Sequence, residues 1–251
     1  MLTSKQTNHA IWAVVPAAGI GSRMLSDVPK QYLPLNGRPV LEYTLNTLLN
    51  NDNISGLVIA LQPDDAFWTD ISIDSEKPVL RTSGGKERAD SVLNALTELF
   101  EYPQFDAEND WVMVHDAVRC CLRQQDIDKL VMEVADDRNG GLLALPVRDT
   151  MKRQLSGSSP ASIECTVERD NLWHALTPQY FPASGLKRAL EGALYNSLNI
   201  TDESSAMEQA GFSPRLIHGY EDNIKITRPD DLRLASLYLQ SQQETMSNDN
   251  D

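Results

Sequence analysis

Short apolar runs alternate along this chain with longer segments in which apolar residues recur every three or four positions. Residues 11–16, 56–61, 79–82, 111–115 and 141–146 have the length and continuity of buried strands, whereas 40–50, 88–100 and 125–135 have helical spacing. Strands that are apolar throughout, separated by amphipathic helices, predict an α/β fold. Its sheet is mostly parallel, with helices on both faces and ligands gathered at the carboxyl ends of the strands. The turn after the first strand, Gly84-Gly85 after the third and Asp116 after the fourth then share one edge.

Residues 147–172 break this rhythm. They are polar, and Gly157 and Pro160 lie between two alternating stretches, 150–155 and 162–167, a pattern that predicts a β-hairpin arm projecting from the sheet. An arm with little core of its own needs a surface to pack on, and a second copy of the chain is the natural one. Helical spacing returns at 183–194, 202–210 and 229–240. The polar segments 1–9 and 241–251 read as flexible ends, which leaves 10–240 as a single domain with no long Gly/Ser/Pro linker inside it.

Charge narrows the partners. The 251 residues carry a formal net charge of −14, which opposes general affinity for nucleic acid or an anionic membrane, so neither partner is expected. Any phosphate site must be a local basic pocket. Cys120, Cys121 and Cys165 form no metal-binding spacing with one another or with His9, His115, His174 and His218, which suits a reduced intracellular chain. The polar start, and the interruption of the next apolar stretch by Pro16 and Gly19, provide neither a signal peptide nor a spanning segment; a cytoplasmic location is expected.

The sharpest chemical feature is Val14-Val15-Pro16-Ala17-Ala18-Gly19-Ile20-Gly21-Ser22-Arg23-Met24, with Lys30 six residues further on. A strand ending in small residues lets backbone N–H groups approach a phosphate, and Arg23 and Lys30 add positive charge, as a nucleoside triphosphate site requires. A dinucleotide fingerprint needs a small residue where Met24 stands, and a P-loop needs Gly-Lys-Ser/Thr where Met24-Leu25-Ser26 stands. Taken alone, Arg23 or Lys30 reads more readily as an exposed helix-end charge, and it is their placement with the glycine loop that favours the phosphate site.

Four further stretches put polar groups where strands end: Gly84-Gly85-Lys86-Glu87-Arg88-Ala89-Asp90-Ser91, His115-Asp116-Ala117-Val118-Arg119, Arg148-Asp149-Thr150-Met151-Lys152 and Asn223-Ile224-Lys225-Ile226-Thr227. Together with residues 16–32, Arg169 and Thr177-Pro178-Gln179, in this order and spacing over residues 11–239, they resemble the 2-C-methyl-D-erythritol 4-phosphate cytidylyltransferases. The resemblance implies a Rossmann-like nucleotidyltransferase sheet and a homodimer joined through the arm at 147–172. It also implies a reaction in isoprenoid precursor synthesis. The phosphate of methylerythritol phosphate attacks the α-phosphate of CTP, with Mg²⁺, giving 4-diphosphocytidyl-2-C-methyl-D-erythritol and pyrophosphate.

Matched residue by residue, Arg23 and Lys30 correspond to the groups that stabilise the pentavalent α-phosphate, and Arg169 and Lys225 to those that position the attacking phosphate. Pro16, Ala17, Ala18, Gly19, Gly21, Gly85, Lys86, Ser91 and Asp116 correspond to the nucleotide site. Asp116, Arg119, Thr150, Arg169, Thr177 and Lys225 correspond to the acceptor site. Cations preorganised at the α-phosphate stabilise its transition-state charge more than they stabilise bound CTP, and the nucleophile, already an anion, needs no general base.

Plainer readings stand beside these. Arg169 by itself is an ordinary arm residue, Lys225 the solvent face of an alternating strand, and Asp116 a turn or helix-cap carboxylate. Asp116 also suits sugar hydroxyls or the neighbourhood of Mg²⁺. The tryptophans Trp12, Trp68, Trp111 and Trp173 read as packing residues. Lys86 stands where the family often carries an acid, so a contact there falls to the main chain; Val118 and Cys120 replace an alanine and a proline and are expected to tune the pocket. Another cytidylyl- or sugar-nucleotidyltransferase, a nucleotide-binding regulator without turnover and a hydride-transfer enzyme are the alternatives, and Thr150, Arg169 and Thr177 favour the methylerythritol acceptor over others.

Overall fold

The computed structural model describes residues 9–19 and 28–248, with the side chains of 246–248 excepted. Gly21, Arg23 and Met24 lie outside the described residues. Strand β1 (Ile11–Pro16) is followed by a 3-10 turn (Lys30–Tyr32), a small ribbon of β2 (Pro34–Leu35) and β3 (Arg38–Pro39), helix α1 (Val40–Leu49), β4 (Ile54–Leu61), β5 (Val79–Ser83) and α2 (Arg88–Phe100). Then come β6 (Trp111–Val114), α3 (Gln124–Val134), β7 (Gly141–Pro146), the arm strands β8 (Met151–Gln154) and β9 (Ile163–Val167), and β10 (Trp173–Pro182). Helices α4 (Ala183–Tyr195) and α5 (Glu203–Gln209), strand β11 (Arg215–His218) and α6 (Pro229–Asn248) complete the chain.

The central sheet has the order β11-β7-β10-β6-β1-β4-β5. β4, β1 and β6 run parallel, as do β4 and β5 and β7 and β11, while β10 is antiparallel to both of its neighbours. Successive residues of β1 serve opposite layers: Ile11, Ala13 and Val15 pack with α1 and α3, and Trp12 and Val14 with α2, α4 and α5. Burial on both faces is why the strand reads as one apolar run. A third apolar cluster joins Leu35, Val40, Val118, Cys120, Cys121 and Ile226 to Ala235 and Leu239 of α6. Among the described residues no helix is long and apolar enough to cross a membrane.

Three elements depart from expectation. β10 was hidden by Pro178 and Pro182, since proline within a run argues against a central strand; its pairing with β7 is interrupted between Ala175 and Gln179, so the missing N–H of Pro178 falls where no ladder bond is required. β11 pairs only with β7 and leaves Arg215, Leu216 and His218 exposed, so it shows no apolar run. The polar segment 241–248 is not a disordered tail but continues α6, and Gln242 ties it down by donating to the Cys121 carbonyl (2.9 Å) and the Asp222 carboxylate (2.8 Å).

α3 begins with an acid inside the core. Asp126 is fully buried; its Oδ1 accepts the Tyr220 N–H (3.2 Å), and its Oδ2 has no hydrogen-bond partner among the described residues. Burial, reinforced by the Asp222 carboxylate and opposed by the Tyr220 N–H, Arg123 and Lys129, pushes its carboxyl up to about 6. In an unfolded chain the value is about 4, so the fold holds the proton between those limits, and the stabilisation present at low pH is lost as pH rises through about 6. Asp126→Asn is expected to raise stability, with a gain roughly 1–2 kcal/mol larger at pH 8 than at pH 5. Urea unfolding at the two pH values measures the difference; equal effects at both would show that Asp126 does not titrate in this range.

Candidate active site

β1 delivers its last residue, Pro16, to the carboxyl edge of the sheet, where the Ala17 N–H still donates to the Ala60 carbonyl (2.8 Å). The loop beyond is gripped from two sides. Buried Gln31 donates to the Ala17 carbonyl (2.7 Å), and Gln62 donates to that of Ala18. Because Gln31 follows Lys30 in the same short turn, its amide brings Lys30 up to the loop. Gly19 is exposed.

A second loop closes on the first. A Cβ at Gly84 would lie 2.1 Å from the Ala18 Cβ, and one at Gly85 2.2 Å from the Asp90 Cβ, so both positions need glycine for close approach. The Gly85 N–H donates to the Ser91 hydroxyl (3.0 Å), which donates in turn to the Glu87 carbonyl (3.1 Å). Ser91 thus shapes the loop from inside α2, while Lys86 is exposed.

Next along the edge, β6 ends in His115-Asp116. The Thr177 hydroxyl of β10 accepts the Asp116 N–H (3.1 Å) and therefore donates to His115 Nδ1 (2.9 Å), leaving His115 Nε2 to donate to the Arg119 carbonyl (3.1 Å). Burial depresses the His115 imidazole to about 4, consistent with this neutral tautomer. The Asp116 carboxylate is buried among cations: Arg88 Nε at 3.0 Å from Oδ1, and Lys225 Nζ at 2.8 Å and Arg119 Nε at 3.5 Å from Oδ2. Burial opposes its charge, but Arg88, Lys225 and Arg119 outweigh that penalty and hold the carboxyl well below the usual range. Asn223 completes the frame, donating to the Thr177 carbonyl (2.7 Å) and accepting from Arg119 (2.7 Å).

Asp116, Arg119, Thr177 and Lys225 are therefore one cluster. Lys225 is not on the solvent face of a strand, because residues 224–226 have no sheet partner; the segment is held by the Ile226 N–H donating to the Val118 carbonyl (3.0 Å). Val118 itself packs in the cluster beneath α6. Thr150 and Arg169 sit elsewhere, on the exposed arm, where the Arg169 guanidinium donates to the Arg148 carbonyl. Arg88 and Glu203 were not singled out from sequence: Arg88 lies inside a quoted motif, and Glu203, 115 residues further along the chain than the arginine it holds, carries no local signal. Glu203 holds Arg88 through a fork, Oε1 at 2.5 Å and Oε2 at 3.0 Å.

No group of three or more His, Cys, Asp or Glu suited to a metal occurs among the described residues. Both Asp116 oxygens are already engaged with cations, so this carboxylate does not fit a metal-ligand role.

A mostly parallel sheet whose carboxyl edge joins two close-packed glycine loops to a carboxylate ringed by cations defines an α/β nucleotidyltransferase enzyme. The family model for 2-C-methyl-D-erythritol 4-phosphate cytidylyltransferase matches residues 11–241, and the chain belongs to that family. A relative of that name from Vibrio atlanticus is 50% identical over 236 residues, 94% of this chain and 98% of its own. One from Shewanella amazonensis is 51% identical over 238 residues, 95% and 97% of the two chains. A solved 4-diphosphocytidyl-2C-methyl-D-erythritol synthase superposes with a TM-score of 0.79 at 35% identity, covering 92% of this chain and 99% of its own. The Francisella tularensis cytidylyltransferase gives 0.76 at 32%, covering 91% and 99%.

The Thr177 hydroxyl is used up inside the protein, so its loss should register in stability. Thr177→Val leaves the Asp116 N–H and His115 Nδ1 without partners and is expected to cost about 2–4 kcal/mol, whereas Thr177→Ser keeps both bonds and costs about 1 kcal/mol. Denaturant unfolding compares them; equal losses would mean that the hydroxyl bonds are not what holds this edge.

Proposed function

We infer that the chain transfers cytidylyl from CTP to 2-C-methyl-D-erythritol 4-phosphate. The observation that carries this reading is the Asp116–Lys225–Arg119 cluster standing beside the Ala17–Gly19 and Gly84–Ser91 loops at one sheet edge. Main-chain groups of Pro16, Ala17, Ala18, Gly19 and Gly85 suit the nucleotide, with Lys30 and Arg23 on its triphosphate. Lys225 and Arg169 suit the acceptor phosphate. Three cations face the carboxylates of Asp116 and Glu203, leaving one net positive charge in a chain of net charge −14, the local basic pocket an anionic acceptor needs.

In the step itself, an acceptor phosphate oxygen forms a bond to the α-phosphorus in line with the bond to the bridging β-oxygen. That bond breaks, and pyrophosphate leaves with its electron pair. Lys30 and Arg23 neutralise charge on the α-phosphate oxygens as it builds. Asp116, kept ionised by its neighbours, accepts hydrogen bonds from sugar hydroxyls. Mg²⁺ would be held mainly by the CTP phosphates and would offset their charge, since no carboxylate cage for it occurs among the described residues.

The arm supports a homodimer. Among the described residues its strands pair only with each other, as a separate two-stranded sheet, and Met151, Leu155, Ile163, Leu172 and Trp173 are exposed along it. Such an apolar row suits burial against a second copy, which would carry Thr150 and Arg169 to that copy's acceptor site. The net charge of −14 and the unpaired cysteines accord with a cytoplasmic enzyme without nucleic-acid or membrane partners.

Pyrophosphate release with methylerythritol phosphate and each nucleotide in turn tests the reading: turnover should need CTP and Mg²⁺, and equal rates with UTP or ATP would overturn it. Lys30→Ala should lower kcat by roughly 10² with a smaller change in CTP binding, whereas a rise in KM at constant kcat would mark uniform binding. Shared sites predict complementation. When inactive Lys30→Ala and Arg169→Ala proteins exchange subunits, each mixed dimer gains one intact site and activity returns; exchange without recovery would place each arm on its own subunit's site.

A further inference from the structure

Arg88 is the first residue of α2, a position where the helix dipole disfavours a cation. It is nevertheless held there by two buried carboxylates from distant parts of the chain. Its two terminal nitrogens fork onto Glu203, which is 1% exposed, and its Nε reaches Asp116 Oδ1 at 3.0 Å. A simple cross-tie between α2 and α5 needs only the fork. The remaining nitrogen is spent on the carboxylate that also holds Lys225.

The two oxygens of Asp116 are divided between partners. Oδ1 takes Arg88, and Oδ2 takes Lys225 at 2.8 Å and Arg119 at 3.5 Å. This division fixes the plane of the carboxylate, and so the place of the Lys225 ammonium, which is the most exposed member of the cluster. Glu203 in turn fixes Arg88, because a planar guanidinium held by a fork has one orientation. We propose that Arg88, anchored by Glu203, is a positioning residue for the acceptor: it orients Asp116 and, through Asp116, Lys225. This inference rests on the reaction proposed above.

Two mild substitutions test it, Arg88→Lys, which keeps the charge and loses the fork, and Glu203→Gln, which keeps the shape and loses the anchor charge. Steady-state kinetics with CTP and methylerythritol phosphate should show kcat/KM for the acceptor falling 10–100-fold in Arg88→Lys and about tenfold in Glu203→Gln, while KM for CTP stays within about threefold. The double variant should be no worse than Arg88→Lys, since Glu203 acts through Arg88. Circular dichroism and Tm report folding separately. Equal loss toward both substrates, a fall in kcat matched by a fall in folded protein, or additive effects in the double variant would each reduce Arg88 to a structural tie and overturn the inference. A wild-type enzyme with no turnover of this substrate pair would instead defeat the proposed reaction, and the inference with it.

Discussion

A carboxylate buried as an ion needs cations or hydrogen-bond donors to hold it, and the placing of Asp116 among three cations under that constraint organises the rest of this site. Its partners come from the start of α2, from its own loop, and from the irregular segment ahead of α6, so one buried charge ties together segments more than 100 residues apart. Arg88 brings in Glu203 as well. With the Asp116 N–H satisfied by Thr177 and the Arg119 guanidinium bonded to Asn223, little in the cluster can move alone.

The sheet makes this convergence possible. Parallel β1, β4, β5 and β6 release their chains at the same edge, and antiparallel β10 enters from that edge, so Thr177 arrives beside His115 and Asp116 although it lies some 60 residues further along. β7 ends there too, which is why the arm that follows leaves from the rim of the site and not from the opposite side of the molecule.

Much of this was legible in the sequence because burial on both faces leaves continuous apolar runs: β1 and β7 fall where the pattern puts them, and α2 spans the residues its spacing predicts. What could not be read is what tertiary contact alone decides. β10 contains prolines at positions that need no ladder bond, β11 is an edge strand with one buried residue, and the end of α6 is polar but pinned by Gln242. At the site, Asp116, Arg119 and Lys225 could be named from motifs, but the motifs do not say that these residues touch each other. Lys225 looked like the outer face of a strand because Ile224 and Ile226 alternate around it; in fact that alternation seats Ile226 in the cluster under α6.

That cluster also explains how the loop after β6 keeps its shape with Cys120 in place of a ring-constrained residue. Val118, Cys120 and Cys121 are all buried against Val40, Ile226 and Ala235, and the Val118 carbonyl accepts the Ile226 N–H at 3.0 Å. The added bulk of Val118 therefore faces the packing beneath the site. The loop carrying Asp116 and the segment carrying Lys225 are cemented by the same apolar contacts, so their 2.8 Å ion pair is held at both ends by packing. Rigidity that a proline supplies through one fixed dihedral is supplied here by a close-packed neighbourhood, and it extends to both partners of the pair instead of one.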